Sequence, residues 1–281
     1  RRSAAGVVGC AAERGLAGCG CGMVGGGGWG VTWGRDGGCG HQADLEGGTD
    51  GDKPCENAVF YTGVGQRIVH ILNTQTPSGQ LYEVDMRLRP SGNSGLLVST
   101  VQAFEKYQQN DAWTWEHQAL ARARGVAGCP DTLAAFEKIR HEILCKTRDK
   151  QKLREDVVEM REKMRSSLGT PEIRRDQVFH IKHDTGGIVD IEFMVQYLML
   201  AWSAEHPALP QWSDNIRQME ELGRAGVLPV EDTEKLREVY ITLRSTIHRR
   251  ALQNLNSQVE GSAFQEERDY IQSMWKKVMI Q

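Results

Sequence analysis

The sequence predicts an α+β fold, in which a small region with strands is followed by an all-α helical bundle. An apolar and charged alternation over residues 81–89 is typical of a half-buried strand. After Cys129-Pro130 the chain consists almost entirely of amphipathic helical periods. With 281 residues, 40% of them hydrophobic, the chain is long enough to bury a core.

Composition divides the chain into three parts. Residues 1–49 hold 17 of the 31 glycines and four of the seven cysteines, with almost no apolar periodicity, so we expect this segment to be largely disordered. We expect residues 50–130 to form the domain with strands and residues 131–281 to form the helical bundle. The odd number and uneven placement of the cysteines favour reduced thiols over a disulfide framework.

Charge and hydropathy exclude several classes of partner. The net charge of −3 creates no sequence-wide field that would attract nucleic acid or an anionic membrane. No apolar stretch approaches the roughly 20 residues that a membrane span needs. We therefore expect a cytoplasmic protein with neither nucleic acid nor membrane among its partners.

The run from Leu81 to Gly92 is the most informative part of the sequence. Alternation places its charged side chains on one face of the predicted strand, and these are Glu83, Asp85, Arg87 and Arg89. Carboxylates beside guanidiniums suit a site where acids hold a metal and arginines hold the phosphates that the metal bridges. The pattern predicts nucleotide chemistry.

Local signals predict the helices that follow this strand. Ser99 with Gln102 forms a capping box for the next helix, and Asp111 can begin another over residues 112–126. One face of the second helix carries Trp113, Glu116, His117, Leu120 and Arg124. We interpret this face as core packing; the alternative is that Glu116, with Arg122 or Arg124, orients the charged strand.

Six further helices are predicted from apolar spacing and helix-end signals. They cover residues 132–147, 152–168, 190–201, 212–222, 230–254 and 263–279. A Gly186-Gly187 break precedes the third of these, within a charged cluster of Lys182, His183, Asp184, Asp190 and Glu192. We interpret the cluster as a domain-interface network in which Asp190 caps the following helix. A metal hydrolase site built on His180, His183 and Asp184 is a weaker alternative.

Four separated runs, in order along the chain, resemble the glutamine synthetase adenylyltransferase family. They are Tyr82–Gly92, Trp113–Leu120, Met160–Arg165 and Gly186–Phe193, and the resemblance covers about Asp50 to the C-terminus. The runs Trp113–His117 and Ser91–Gly95 resemble the adenylylating half of this bifunctional family.

The resemblance implies a partial nucleotidyltransferase domain of the polymerase β type before the helical bundle. It also implies transfer of AMP from ATP, with Mg²⁺, to a tyrosine of glutamine synthetase, under control by the PII signal protein. Asp85 matches one of the family's metal-binding carboxylates, with Glu83 as its catalytic support. Arg87, Arg89 and Lys182 are the expected nucleotide-binding residues. The alternative to the domain-interface interpretation is that Lys182 and the acids of its cluster reach across the cleft towards ATP or the protein substrate.

The family's upstream Asp-x-Asp strand has no convincing counterpart in this sequence. Asp50 and Asp52 have the spacing but lack the apolar neighbours of a buried strand. We therefore expect little or no transfer by this chain, because Asp85 alone cannot hold two metals. The glycine, cysteine and tryptophan enrichment before Asp50 leads us to the hypothesis that this segment is translated partly out of frame.

Two alternatives remain open from the sequence. The chain could be a helical module that docks glutamine synthetase or PII without chemistry. Separately, Cys19, Cys21, Cys39 and His41 could hold zinc, although neither pair has the usual two-residue spacing.

Overall fold

The computed structural model describes residues 21–25, 31–33, 57–77, 79–80, 84, 97–127 and 130–280 of the chain. These residues form two compact units, of which the first ends at Ile143 and the second begins at Leu144. The predicted α+β class is confirmed: helices dominate, and a small sheet lies in the first unit.

The first unit combines short strands with four helices in its described part. In chain order its elements are β1 (Cys21–Gly25), β2 (Val31–Trp33), α1 (Asn57–Asn73), β3 (Gln75–Thr76), β4 (Gly79–Gln80), β5 (Val98–Ser99), α2 (Val101–Asn110), α3 (Thr114–Ala121), β6 (Arg124–Ala127) and α4 (Pro130–Leu144). The sequence places a domain boundary at the start of α4, whereas the two compact units meet near its end.

Four of these strands form one sheet in the order β5-β2-β1-β6. β1 pairs antiparallel with both β2 and β6, and β2 pairs in parallel with β5, with Val31 opposite Val98. The first two strands lie in the segment for which the sequence predicts no regular structure. Val31, Thr32 and Trp33 do have the β-branched and aromatic character that suits a strand.

The start of α2 differs from the sequence prediction by one residue. Thr100, not Ser99, is the N-cap, and its hydroxyl accepts a hydrogen bond from the Ala103 N–H at 2.9 Å. Ser99 instead belongs to β5, where it lies opposite Thr32. Adjacent hydroxyl residues offer equivalent caps, and here strand pairing decides which of them is used.

Among the described residues, the second unit contains five α-helices, two short 3₁₀ helices and a two-stranded ribbon. Its α-helices and strands are α5 (Lys150–Leu168), β7 (Val178–His180), α6 (Ile188–Trp202), α7 (Asn215–Arg224), α8 (Val230–Leu252), β8 (Gln258–Glu260) and α9 (Gln265–Met279). β7 and β8 pair antiparallel, with Phe179 opposite Val259. This unit is the predicted helical bundle.

Helix α6 is the central helix of the second unit. Its sequence is apolar on nearly every side, which is typical of a helix surrounded by others. It contacts α5, α7, α8 and α9, and most of its side chains are buried. The turn that precedes α6 is therefore held at the middle of the unit, beside the charged cluster identified in the sequence.

Candidate functional site

The four charged residues of the predicted strand, Glu83, Asp85, Arg87 and Arg89, lie outside the described residues. Val84 is described, and its backbone N–H donates a 3.0 Å hydrogen bond to Asn73 Oδ1 near the end of α1. The cysteine and histidine side chains of the zinc alternative also lie outside this part of the chain. The roles assigned to these residues stay predictions.

Glu116 forms the first buried polar centre. Its side chain is only 3% exposed, and its carboxylate accepts hydrogen bonds from the Tyr107 hydroxyl at 2.9 Å and the Trp113 N–H at 2.9 Å. The second bond closes the start of α3, because it satisfies an N–H that has no partner within the helix. Glu116 thus joins α2 to α3, and Leu120 of the same predicted face is buried, whereas Trp113 is 69% exposed and does not pack in the core.

Helix α3 ends at Ala121, five residues before the end predicted from sequence, and Arg124 begins β6 instead. The buried Arg140 on α4 donates to the carbonyls of Leu120 and Ala121, at 3.1 and 3.0 Å. These are carbonyls that a helix leaves without partners at its end. Arg124 therefore does not share the face of Glu116 along a continuous helix.

The turn between β7 and α6 carries three members of the predicted charged cluster. Lys182 is exposed, and among its described contacts its N–H lies 3.3 Å from His180 Nδ1. Asp184 is buried, and its two carboxylate oxygens accept the N–H groups of Thr170 and His180, both at 2.6 Å. Asp184 therefore fixes the turn through the backbone.

Asp190 is the most deeply buried acid of the cluster, at 1% exposure. Its Oδ1 accepts from Arg161 Nε at 2.6 Å and from Arg165 Nη2 at 3.2 Å, and its Oδ2 accepts the Gly186 N–H at 2.7 Å. The N-cap position belongs to Gly187 rather than Asp190. The predicted N-cap is therefore wrong by three residues, but Asp190 still stabilises the start of α6, because it lies in the first turn of this helix.

The described contacts of the Asp190 network lie within the second unit, where they join several elements, and not at the predicted domain interface. Arg161 is completely buried on α5, and its Nη2 donates to the His183 carbonyl at 2.9 Å. Glu192 Oε1 accepts from Asn215 on α7 and from the Tyr240 hydroxyl on α8, both at 3.2 Å. The charged cluster thus ties α6 to three neighbouring helices.

Burial changes the proton affinity of this region. It lowers the pKa of Arg161, an effect that the charge of Asp190 opposes. Burial, together with the nearby charges of Lys182, His180 and Arg161, lowers the pKa of His183 to about 4. The pKa of His180 is also lowered by burial, against the opposing charge of Asp184. At neutral pH both histidines are uncharged.

Two glycines make this arrangement possible. Gly186 has a φ of +79°, and a Cβ there would lie 2.9 Å from the backbone of Arg268 on α9. A Cβ at Gly187 would lie 2.7 Å from the carbonyl oxygen of Ile181. Both positions therefore require glycine, one for conformation and close approach and the other for close approach alone.

The alternative of a metal hydrolase finds no support in this geometry. Among residues 57–280 that the structure describes, no three His, Cys, Asp or Glu side chains come together as metal ligands. Both oxygens of Asp184 are engaged by the backbone, and the His183 carbonyl accepts from Arg161.

Arg140, Arg161 and Arg165 are the residues whose importance sequence reasoning missed. Arg161 and Arg165 occur in the quoted run Met160–Arg165, but their spacing gives no sign of their acid partner. The Arg161–Asp190 pair spans 29 residues. A signal that links the run Met160–Arg165 to Asp190 would have been needed to identify this pair from sequence.

Comparison with known proteins gives two family matches. The family model described as glutamate-ammonia ligase adenylyltransferase matches residues 11–139. The model described as GlnD PII-uridylyltransferase matches residues 158–262. The first match includes the charged strand and α3, and the second includes the Asp190 network.

Individual relatives extend the similarity over most of the chain. A bifunctional glutamine synthetase adenylyltransferase/adenylyl-removing enzyme from Hahella chejuensis is 54% identical over 243 residues, 86% of this chain and 25% of the relative. The enzyme of that name from Pseudomonas putida is 54% identical over 84% of this chain and 25% of its own length. The enzyme of that name from Thioalkalivibrio sulfidiphilus is 51% identical over 82% of this chain and 24% of its own length. The chain thus spans about a quarter of these relatives.

None of the helices in the described part combines the length and apolar composition that a bilayer span requires.

Proposed function

We propose that this chain, which belongs to the glutamate-ammonia ligase adenylyltransferase family, carries the framework for transferring AMP from ATP to a tyrosine of glutamine synthetase. The supporting observation is its 54% identity, over 86% of its residues, to a relative named for that activity. The chain corresponds to only 25% of that relative, so the proposal concerns one of the two activities in the name.

The charged strand would supply the chemistry. Asp85 would hold Mg²⁺, with Glu83 beside it, while Arg87 and Arg89 would bind the phosphates of ATP. Lys182 is proposed as a further nucleotide-binding residue, and its exposure leaves its ammonium available. In the reaction the tyrosine oxygen forms a bond to the α-phosphorus, the bond to pyrophosphate breaks, and the hydroxyl proton is released. A bound metal would lower the charge on the phosphates and assist the leaving pyrophosphate.

We expect the chain with its present N-terminal segment to transfer little AMP. The sequence has no Asp-x-Asp strand with apolar flanks upstream of Asp85, and one carboxylate cannot hold two metal ions. Regulation by the PII protein is proposed on the same family basis.

A chimera tests this proposal. Residues 1–56 are replaced by the corresponding segment of the Pseudomonas putida relative, and transfer of labelled AMP to glutamine synthetase is measured with and without Mg²⁺. We expect the chimera to transfer AMP at least a hundredfold faster than the original chain. Asp85→Asn should abolish this gain, because the metal loses a charged ligand. The matched control is Asp111→Asn, which changes an exposed acid of the same unit.

Two results would contradict the proposal. The first is a folded chimera that binds ATP but transfers no AMP. The second is an Asp85→Asn chimera that is as active as its parent, since this would remove Asp85 from the metal site.

A second candidate function is docking without chemistry. The match of residues 158–262 to a PII-uridylyltransferase model favours it, because the helical unit then resembles parts of two enzymes of nitrogen control. Docking would be supported if the original chain binds glutamine synthetase or PII equally well with and without ATP. In addition, neither the original chain nor the chimera should transfer AMP. No binding to either protein would remove this candidate.

A further inference from the structure

Three arginines from three parts of the second unit line one small surface pocket. Arg165 comes from α5, Arg175 from the segment before β7, and Arg268 from α9. Val178, Asp184 and Thr185 complete the lining. Guanidiniums repel one another, so their convergence has an energetic cost unless an anion is bound among them.

Two of these guanidiniums are held in place but retain a buried donor without a partner. Arg268 donates from Nη1 to the Gly261 carbonyl at 2.7 Å and lies over the Phe179 ring at 4.2 Å. Arg165 donates to Glu162 and Asp190 through its two terminal nitrogens. The Nε atoms of both arginines are buried without a hydrogen-bond partner. Such donors are costly to leave unsatisfied.

The charges around the pocket are unbalanced. Within the described residues, neither Arg175 nor Arg268 has a carboxylate at ion-pair distance. Arg165 shares the Asp190 carboxylate with Arg161, so one negative charge serves two guanidiniums. Asp184 also lines the pocket, but both of its oxygens already accept backbone N–H groups. The carboxylates of Asp184 and Glu162 stand against the three guanidiniums, so the pocket carries an excess of about one positive charge.

We propose that this pocket binds a phosphate group. Phosphate carries between one and two negative charges at neutral pH and has several acceptor oxygens arranged around one centre. That charge is at least as large as the excess in the pocket, and the oxygens can be reached by forks from three directions. A carboxylate has two oxygens and engages one fork, so it would leave the other guanidiniums of the pocket without a contact. All six residues that line the pocket belong to the second unit.

Calorimetric titration of the full chain with inorganic phosphate, at constant ionic strength, tests the proposal. We expect saturable binding of one phosphate per chain, and acetate should bind at least tenfold more weakly. Arg175→Gln should weaken phosphate binding roughly tenfold or more, because it removes a charge-assisted contact. Arg175 is exposed, so its replacement should leave the fold intact. Its neighbour Arg174 is exposed but does not line the pocket, and Arg174→Gln should leave binding unchanged.

A second measurement does not depend on any variant. The Nε–H resonances of Arg165 and Arg268 in ¹⁵N-labelled protein should shift when phosphate is added, because both residues line the pocket that the anion enters. Titration with AMP distinguishes a free phosphate from one carried by a nucleotide: if AMP competes, the natural ligand is a phosphate ester, and if it does not, the ligand is free phosphate. Asp85→Asn should leave all of these results unchanged, which separates this proposal from the adenylyl-transfer mechanism.

Three outcomes would overturn the proposal. These are no phosphate binding, equal binding of acetate and phosphate, and phosphate binding that Arg174→Gln and Arg175→Gln weaken to the same extent. The last would indicate attraction to the general positive surface instead of a defined pocket.

Discussion

Glu116 in the first unit and Asp190 in the second are both buried acids at the third position of a helix. Each reaches back to a backbone N–H at or before the helix start, the Trp113 N–H at 2.9 Å and the Gly186 N–H at 2.7 Å. They differ in their remaining partners. Glu116 is held by the neutral Tyr107 hydroxyl, whereas Asp190 is held by the cations Arg161 and Arg165.

The same local arrangement, a buried acid that accepts a backbone N–H at the helix start, therefore has a different effect on stability in each unit. A buried acid with neutral donors contributes about as much as its hydrogen bonds. A buried acid paired with a buried guanidinium adds little net stability while intact, but its loss leaves an uncompensated charge in the core. The second unit should therefore be much less tolerant of change at its acid than the first.

The largest effect is expected from Asp190→Asn. Arg161 is completely buried, and this variant removes the negative charge that opposes it. We expect the second unit to lose about 3–5 kcal/mol of unfolding free energy. Urea denaturation, with hydrogen exchange of α5 and α6 to locate the loss, measures it. Glu162→Gln is the control, because this exposed acid also pairs with Arg165 and should cost less than about 1 kcal/mol. A loss below 1 kcal/mol for Asp190→Asn would contradict the claim that the second unit tolerates a change at its buried acid less well than the first.

A smaller effect is expected from Glu116→Gln. The amide oxygen of glutamine can still accept from Tyr107 and Trp113, so the variant loses only the charge-assisted part of two hydrogen bonds. We expect a cost of about 1 kcal/mol to the first unit in the same urea experiment. Glu105→Gln, at an exposed position of α2, serves as the control and should change little. Equal costs for Glu116→Gln and Asp190→Asn would show that the partner's charge does not matter.

The smallest effect is a pH dependence confined to the second unit. Folding lowers the pKa of His183 from its ordinary 6.5 to about 4, so the unfolded chain binds the proton more tightly. The stability linked to His183 is thus fully present above pH 6.5 and is lost as the pH falls towards 4. Urea midpoints at pH 7 and pH 5 should differ less in His183→Gln than in the original chain. His180, whose pKa is also lowered, should retain part of the dependence.

His141→Gln provides the matched control for this last experiment. His141 lies exposed on α4 in the first unit, so its replacement should leave the difference between the two midpoints unchanged. If His183→Gln has the same pH dependence as the original chain, the buried histidine is not the group that titrates.

Much of the second unit was predictable because its signals are local. The apolar sequence of α6 indicates a central helix. The start of α5 was placed two residues too late, because its N-cap Asp149, which accepts the N–H groups of Gln151 and Lys152, was not identified. The end of α3 was predicted wrongly; there Arg140, 19 residues beyond Ala121, donates hydrogen bonds to the carbonyls of the last two residues of the helix. No turn residue near Ala121 marks that end, and the contact found there is tertiary.

The candidate site follows the same division. The glycine pair and the acids near α6 could be found as a cluster, since they are close in sequence. Their arginine partners on α5 could not be assigned from sequence. When two helices pack together, no local pattern predicts how far apart in sequence the contacting residues are. The phosphate pocket is the extreme case, since its arginines belong to three separate segments. The metal-binding role of Asp85 stays a prediction from the charged strand and the family resemblance.

The contact between Gly186 and the backbone of Arg268 bears on which substitutions this turn can accept. A side chain that clashes with another side chain can be accommodated by a new rotamer or by a second substitution, but one that clashes with a main chain cannot. Position 186 is therefore closed to gradual change, and α9 can drift in sequence while its path past this turn stays the same. In a library randomised at positions 186 and 268 and selected for folding, we expect diverse residues at 268 and glycine alone at 186.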